Sequence, residues 1–271
     1  MTAWTLDDIP WAQFDAKKVD VETLKLIKAA ALVEHNGHDY ATYLCNVFHD
    51  DPAFQEVAKI WAAEEVQHGQ ALRRCAELAD PDFDFDAAFK CFVDGYRLPL
   101  EATESVRGSR AGELVARCIV ETGTSSLYTA IKEGSEEPVL KEVCRKIASD
   151  ELRHYKLFYT AMKRYLDAGQ LSRWQRLKVA ASRMAETEDD ELAYAYHAAN
   201  HRDEPYDHQR CSRAIARRTY RLYRPHHVDR VVSMVFKAVG LAPQGMLQRL
   251  SARLMWRFLD YRTRNLTRAA A

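Results

Sequence analysis

Four glutamates and two histidines lie where a helical pattern would place apolar core residues. Each of four predicted helices has a glutamate in the middle of its apolar stripe, and two of these helices carry a histidine three residues later. Residues at i and i+3 share one helix face, about 5–6 Å apart at Cβ, so one helix can offer a carboxylate and an imidazole to the same ion. The six residues are Glu34, Glu65, His68, Glu121, Glu151 and His154.

The charge of the four glutamates indicates what would bind them. Buried carboxylates that converge without compensation are costly or take up protons instead. Two divalent cations would balance four carboxylates, and mixed carboxylate and imidazole ligation suits non-haem iron, with manganese as the next candidate at one or both positions. This ligand set, with Glu-x-x-His on two of four helices, is that of di-iron carboxylate bundles. We therefore predict a carboxylate-bridged centre with two iron ions; the alternative is a metal-free core of buried Glu–His and Glu–Arg pairs.

Caps and prolines bound the helices that would position these ligands. A first helix is predicted from the N-cap Asp20 to the sequence HDDP at 49–52, a second from Pro52, a third over about 111–133 and a fourth from Pro138. The longer connection over 79–110, with some helix of its own, is typical of the ferritin-like four-helix bundle. We expect an all-α chain with an N-terminal arm at 1–18, a ferritin-like di-metal bundle at 19–168 and a basic helical extension at 169–271. The extension is predicted to hold helices near 171–199, 206–223, 226–239 and 244–266.

The composition favours a helical protein with reduced cysteines. The 271 residues include only ten Gly and eight Pro, which favours helices over a β-rich fold. The six cysteines form no C-x-x-C pair, which excludes a built-in rubredoxin or zinc-ribbon module and indicates a reducing compartment. The N-terminus has no basic start or apolar run, and no stretch of about 18 apolar residues occurs. We therefore expect no signal peptide, no membrane span and a cytoplasmic location.

The ligand motifs resemble those of one known family. Glu64-Glu65-Val66-Gln67-His68-Gly69 and Asp150-Glu151-Leu152-Arg153-His154 are similar to the EENRHG and DEKRH motifs of soluble acyl-carrier-protein desaturases. The intervals between the four ligand glutamates, 31, 56 and 30 residues, suit that family. Trp61, four residues before Glu65, and the sequence Glu121-Thr122-Gly123-Thr124 match it further. The resemblance covers residues 20–168.

The resemblance implies roles for residues around the ligands. Thr124 would be a catalytic residue on the O2 side of the metal pair, Asp150 would hold the outer nitrogen of a ligand histidine, and Trp61 would support the ligands. The alternatives are a helix threonine that bonds back to a carbonyl for Thr124, and a solvated surface acid for Asp150.

Helical spacing alone adds four weaker candidates. His38 lies one turn after Glu34 and is a candidate to support a ligand from behind. Tyr128, Leu72 and Phe158 each lie two turns beyond a ligand on the same face and are candidates to line a substrate pocket. An ordinary core position is the alternative for these three, and the spacing favours it.

These observations predict a di-iron, O2-activating oxidoreductase. Two electrons from an external donor such as a ferredoxin would support a desaturase- or hydroxylase-type oxidation of an organic, small-molecule or carrier-bound acyl substrate. The ligand set does not choose between desaturation and hydroxylation. The alternative is a ferritin-like protein that removes peroxide or iron, similar to rubrerythrin, a ferroxidase or manganese catalase. A homodimer is expected.

The C-terminal part of the chain is basic. From Arg202 onward there are 15 Lys and Arg against 5 Asp and Glu, although the whole chain has a net charge of zero. The last predicted helix, near 244–266, could dock an acidic carrier protein or an anionic membrane surface. Docking on a membrane would make the protein peripheral to the inner membrane. Nucleic acid is not expected, because aromatic residues do not alternate with basic ones. The remaining alternative is a helix packed on the bundle with its arginine side in water. The last predicted helix sets Met246, Leu247, Leu250, Leu254 and Phe258 against Arg249, Arg253 and Arg257.

Overall fold

The computed structural model of the chain describes residues 4–169, 171–186 and 190–268, and every regular element within these ranges is helical. The prediction of an all-α fold is therefore confirmed for the described residues. Three short 3₁₀ helices, Leu6–Asp8, Trp11–Gln13 and Ala16–Lys18, form the N-terminal arm. The α-helices are α1 (Val21–His35), α2 (Gly37–Val47), α3 (Pro52–Ala79), α4 (Phe85–Gly95), α5 (Arg110–Gly134), α6 (Pro138–Gly169), α7 (Arg173–Ala185), α8 (Asp190–Asn200), α9 (His208–Leu222), α10 (Pro225–Val239) and α11 (Met246–Arg268).

The starts of the ligand-bearing helices follow the capping signals in the sequence. The Asp20 carboxylate accepts a hydrogen bond from Thr23 N at 3.0 Å, which satisfies a backbone donor that the first turn of α1 leaves open. Asp51 does the same at the start of α3, where Pro52 takes the first helical position. Both predicted starts are confirmed.

Two predicted helices are each interrupted. The helix expected from residue 20 to the HDDP sequence is two helices, because α1 ends at His35 and α2 begins at Gly37. Asn36 between them is buried and has φ −79° and ψ 12°, which departs from helical geometry. The helix expected over 171–199 is also two, since α7 ends at Ala185 and α8 begins at Asp190.

The described chain divides into two compact units, and the segment predicted as the bundle, residues 19–168, contributes to both. In the first unit, α1 packs on α3, α4 and α8, and α2 packs on α3. Its core includes Ile27, Leu32, Leu44 and Phe54, all almost fully buried. In the second unit, α10 packs on α7 and α11. The first unit is Met1–Thr103, Ile131–Lys146 and Glu188–Arg218; the second is Glu104–Ala130, Ile147–Thr187 and Thr219–Ala271.

None of the helices in the described part of the chain is both long enough and apolar enough to cross a membrane. This agrees with the sequence, in which charged residues interrupt every long helix.

Candidate metal centre

Three of the predicted ligands converge within the first unit, and we call Glu34, Glu65 and His68 the first triad. Glu34 lies in the last turn of α1, while Glu65 and His68 lie one turn apart in the middle of α3. The His68 Nδ1 atom is 3.5 Å from Glu65 Oε2 and 3.7 Å from Glu34 Oε2. All three side chains are buried, and one donor atom from each lies within 4.8 Å of the others.

Two glycines allow the backbone of α1 and α2 to approach α3 closely beside this triad. A Cβ atom built on Gly69 would lie 2.5 Å from the backbone nitrogen of His35, which directly follows the ligand Glu34. A Cβ atom on Gly37 would lie 2.7 Å from the Ala62 carbonyl oxygen and 2.9 Å from Glu65 Cβ. Neither contact is sterically allowed, so the placement of Glu34 against α3 depends on both positions having no side chain.

The N-terminal arm covers the first triad with an aromatic side chain that the sequence patterns did not single out. The Trp4 ring lies parallel to the His68 ring, with centroids 6.1 Å apart and an interplanar angle of 7°. The Trp4 carbonyl accepts a hydrogen bond from Gln67 Nε2 at 3.0 Å, and Lys146 Nζ lies 5.6 Å from the ring centroid. The arm has no periodic pattern, so only its several aromatic residues hinted that it packs on a core.

The other three predicted ligands converge within the second unit, and we call Glu121, Glu151 and His154 the second triad. Glu121 lies near the middle of α5, and Glu151 and His154 lie one turn apart in α6. The His154 Nδ1 atom is 3.6 Å from Glu121 Oε2 and 3.9 Å from Glu151 Oε2. Each of the three residues is about 1 % exposed, so this triad is as closed to water as the core around it.

Thr124 forms a hydrogen bond to a carboxylate of the second triad. Its hydroxyl oxygen lies 2.7 Å from Glu151 Oε2, and 3.2 and 3.3 Å from the carbonyl oxygens of Val120 and Glu121. The contacts with Val120 and Glu121 agree with the interpretation of a helix threonine that bonds back to a carbonyl, while the catalytic role of Thr124 stays a prediction. Donation to Glu151 holds that carboxylate in one rotamer.

A thiol near the second triad lies outside the group of side chains whose donor atoms converge there. Cys118 lies one turn before Glu121 and is fully buried. Burial, and next the charge of Glu121, raise the pKa of the Cys118 thiol far above its ordinary value. In the metal-free protein the Cys118 side chain is therefore a neutral thiol that packs as a small core residue.

The spacing of the donor atoms in each triad fits a bound metal ion. Two ligand atoms that bind one ion at about 2.1 Å each lie at most about 4.2 Å apart, and the measured Nδ1–Oε2 distances of 3.5–3.9 Å fall within that limit. The same nitrogen, Nδ1, faces the carboxylates in both triads. The two carboxylates and one imidazole of each triad could therefore hold a metal ion.

The three residues predicted to support the ligands, Asp150, Trp61 and His38, differ in how far they are buried. Asp150 is buried and accepts a hydrogen bond from Arg153 Nη1 at 2.9 Å, so the solvated-acid interpretation is wrong, while its role toward a histidine stays a prediction. Trp61 is buried, with its ring centroid 6.5 Å from that of Tyr40. His38 is exposed, so the expectation that it supports a buried ligand is wrong. The interruption at Asn36 changes the helical phase after Glu34 and turns His38 toward solvent.

The three candidates for a substrate pocket are all core residues. Leu72 and Phe158 are fully buried, and Tyr128 is 1 % exposed. This agrees with the interpretation that the spacing favoured, and a substrate-lining role for them stays a prediction.

No protein-family model matches this chain, and no curated protein matches it in sequence. The established features are therefore the all-α fold and the two buried triads of glutamate and histidine. The resemblance to desaturases rests on the sequence motifs around those triads alone.

Proposed function

We propose that the two triads together bind two iron ions in a carboxylate-bridged centre of a ferritin-like bundle, and that the chain is an O2-activating oxidoreductase. The observation that carries this proposal is the repetition of one ligand set. Each triad has two buried carboxylates and one imidazole, with the imidazole Nδ1 within 3.9 Å of both carboxylates. Two such sets give four negative charges for two divalent cations, which removes the cost of burying the glutamates.

Bound iron would supply the reduction of O2 with electrons from an external donor, and thereby the oxidising power for attack on a C–H bond. The protein contributes position and a dry environment. Because every ligand is at least nine-tenths buried, water is largely kept from the donor atoms, and electrostatic interactions there are stronger than at the surface.

Thr124 is the residue that we propose to act at the centre without binding metal. Its Oγ1 lies within hydrogen-bond distance of Glu151 Oε2, at 2.7 Å. We propose that this hydroxyl holds one proton beside the ligands and orients the Glu151 carboxylate. The resemblance to desaturases supports the same position for a threonine.

The class of substrate follows from the resemblance alone. We propose an organic substrate, with a carrier-bound or free acyl group as the first to test, and a ferredoxin-type protein as electron donor. Tyr128, Leu72 and Phe158 are the residues whose replacement by smaller or larger side chains would change chain-length preference if they line the pocket.

Metal analysis of the purified protein is the first test. We expect about two iron ions per chain and magnetic coupling between them in the oxidised protein, as for a bridged pair. The double variant His68→Ala/His154→Ala should bind neither. Two ions without magnetic coupling would contradict a bridged centre, and hundreds of ions per assembly would indicate storage instead.

Oxygen consumption separates oxidation of an organic substrate from detoxification. With a reduced ferredoxin and a mixture of acyl substrates, we expect O2 uptake that depends on the acyl substrate and yields an oxidised product by mass spectrometry. Rapid peroxide or ferrous-ion consumption without any organic substrate, at rates of 1 s⁻¹ or more, on the order of enzyme turnover, would contradict the proposal. The Thr124→Val variant, which keeps all six ligands, should reduce uptake even when enough Fe(II) is supplied to fill both positions.

A further inference from the structure

Helix α11 carries a continuous row of exposed apolar side chains. Its members follow each other at intervals of one to four residues, mostly three or four, so they lie along one side of the helix over roughly 22 Å. Between 52 % and 86 % of each side chain is exposed, which is unusual for a row of this length. The row consists of Met246, Leu247, Leu250, Leu254, Phe258 and Tyr261.

A different side of α11 attaches it to the protein. Ala252 forms a buried cluster with Val228 and Val232 of α10, and Met255, Trp256 and Leu259 pack against that cluster. Gln248 is buried and its Nε2 donates to the backbone and side-chain oxygens of Asp229 at 3.1 and 3.0 Å. One side of α11 therefore already packs on α10, and the exposed apolar row lies on a different side. The alternative of a packed helix with its arginine side in water thus holds for the packing and the arginines, but the apolar residues named in the sequence are exposed as well.

Positive charge accompanies the apolar row. The helix holds six arginines and a single acidic residue, Asp260. Arg249, Arg253 and Arg257 are all exposed and follow each other at intervals of four, so they form a second row beside the first. Arg262, on the other flank, lies 5.8 Å from the Phe258 ring centroid. Long arginine side chains can reach outward from an apolar strip and keep their charged ends in a polar layer.

We propose that α11 is a docking surface for an anionic lipid bilayer, with the apolar row inserted among the acyl chains and the arginines among the headgroups. A helix that lies in an interface in this way buries its apolar side about 5–10 Å deep, and negative lipids attract its basic flanks. This proposal goes beyond the proposed function and does not depend on iron binding.

The chemistry of the surface favours a bilayer over the two protein occupants. An acidic partner would neutralise the arginines but would need its own matching apolar groove to cover a convex row of six side chains. A second copy of the chain, related by a twofold axis, would bring two arginine rows together, and like charges in an interface are destabilising. A bilayer adapts to the convex shape and supplies both the apolar layer and the negative charge.

Vesicle sedimentation tests the proposal with the full-length protein. We expect binding to vesicles of phosphatidylcholine with about 30 % phosphatidylglycerol, at least tenfold weaker binding to phosphatidylcholine alone, and a loss of binding as salt is raised. The single variant Leu254→Trp should show a blue-shifted emission component that brominated lipids quench, because the new indole enters the acyl region.

Two sets of substitutions and one matched control resolve the contribution of each row. Two triple variants should each weaken vesicle binding at least tenfold. The first combines Leu250→Ser, Leu254→Ser and Phe258→Ser, and the second combines Arg249→Glu, Arg253→Glu and Arg257→Glu. Val21→Ser with Ile60→Ser removes two equally exposed apolar side chains from α1 and α3 and should leave binding unchanged. Circular dichroism and iron content monitor the fold of every variant.

Several outcomes would overturn the proposal. They are absence of vesicle binding by the parent protein, equal binding to neutral and anionic vesicles, or equal weakening by the α1/α3 control. A further one is a parent dimer, by light scattering, that the triple serine variant converts to monomer while vesicle binding is unaffected. That result would assign the row to a second copy of the chain.

Discussion

The two triads have the same ligands and nearly the same internal distances, but the surrounding sequence holds them in different ways. In the first triad, Glu34 lies two residues before the interruption at Asn36, and its position depends on close backbone contact with α3 at a glycine. In the second triad, Glu121 and Glu151 lie within long uninterrupted helices, and the Thr124 hydroxyl fixes one carboxylate. The i,i+3 spacing thus sets the geometry within a triad, whereas the way each triad is supported is independent of that spacing.

Removal of one histidine is expected to have the largest effect. His68→Ala and His154→Ala should each lower the affinity of the altered triad for Fe(II) by at least about a hundredfold, because replacement of even a group that only supports a ligand costs 10–100-fold. Competition with a chromogenic chelator measures both affinities. Equal losses of Fe(II) affinity in the two variants would mean that the way each triad is supported does not affect affinity once its histidine is removed.

His38→Ala is the matched control for that experiment. It removes an imidazole four residues after Glu34, but from an exposed side chain, so both ions should stay bound with unchanged affinity. An affinity loss in His38→Ala comparable to that of His68→Ala would restore the supporting role that the exposure of His38 argues against.

The glycine contact is expected to have the next largest effect, and only on the first triad. Gly69→Ala forces a Cβ against the backbone of His35, and overpacking of this kind costs about 1–3 kcal/mol of unfolding free energy. Gly123→Ala, between Glu121 and Thr124, meets no atom within 4 Å and should instead stabilise α5 by about 0.5–1 kcal/mol. Urea unfolding of the apo proteins checks both signs.

Destabilisation by Gly123→Ala, or a neutral Gly69→Ala, would show that the two triads are not supported differently. Metal affinity of the same variants adds a second measurement. Gly69→Ala should weaken the first triad several-fold, since Glu34 moves with the backbone of α1, while Gly123→Ala should leave the second triad unchanged.

This contrast also explains how much of the site the sequence could predict. The ligands follow from periodicity, and the starts of α1 and α3 follow from Asp20 and Pro52, because local hydrogen bonding decides both. The interruption at Asn36 was missed because it depends on contact between Gly37 and α3, which are far apart in sequence. The signal that could have indicated such a contact is a glycine inside a helical pattern.

The other departures from the sequence predictions also depend on contacts between residues that are far apart in sequence. His38 was placed by a helical phase that the interruption changes. Trp4 lies in an arm without periodicity, so nothing local connected it with His68. In α11 the apolar and basic rows were correctly separated, but tertiary packing through Ala252 decided which side is covered. Pattern alone establishes that a helix has two sides and leaves open which one faces water.

The Thr124 hydroxyl gives a smaller and more specific test of the second triad. Thr124→Val keeps the shape and removes the hydrogen bond to Glu151, which should lower the affinity of this triad for Fe(II) by about tenfold, or roughly 1.4 kcal/mol. Thr124→Ser restores the hydroxyl and should recover most of the affinity. Loss of affinity in both variants would assign the effect to packing instead of the hydrogen bond.

The smallest expected effect is on the unfolding free energy and comes from an ion pair in the second unit, outside its triad. The pair separates a loss of stability in acid that has nothing to do with the ligands from one caused by their protonation. Arg107 forms two hydrogen bonds of 2.5 Å to Glu186, which lower the pKa of that carboxyl below its ordinary value of 4.5. Because the folded pKa is depressed, the contribution is present above the unfolded pKa and is lost as the pH falls through the folded one. Glu186→Gln should therefore cost up to about 1 kcal/mol at pH 7, since both side chains are partly exposed, and less below pH 4.5. Urea unfolding at both pH values measures the difference, and a cost that is independent of pH would rule out the ion pair as its source.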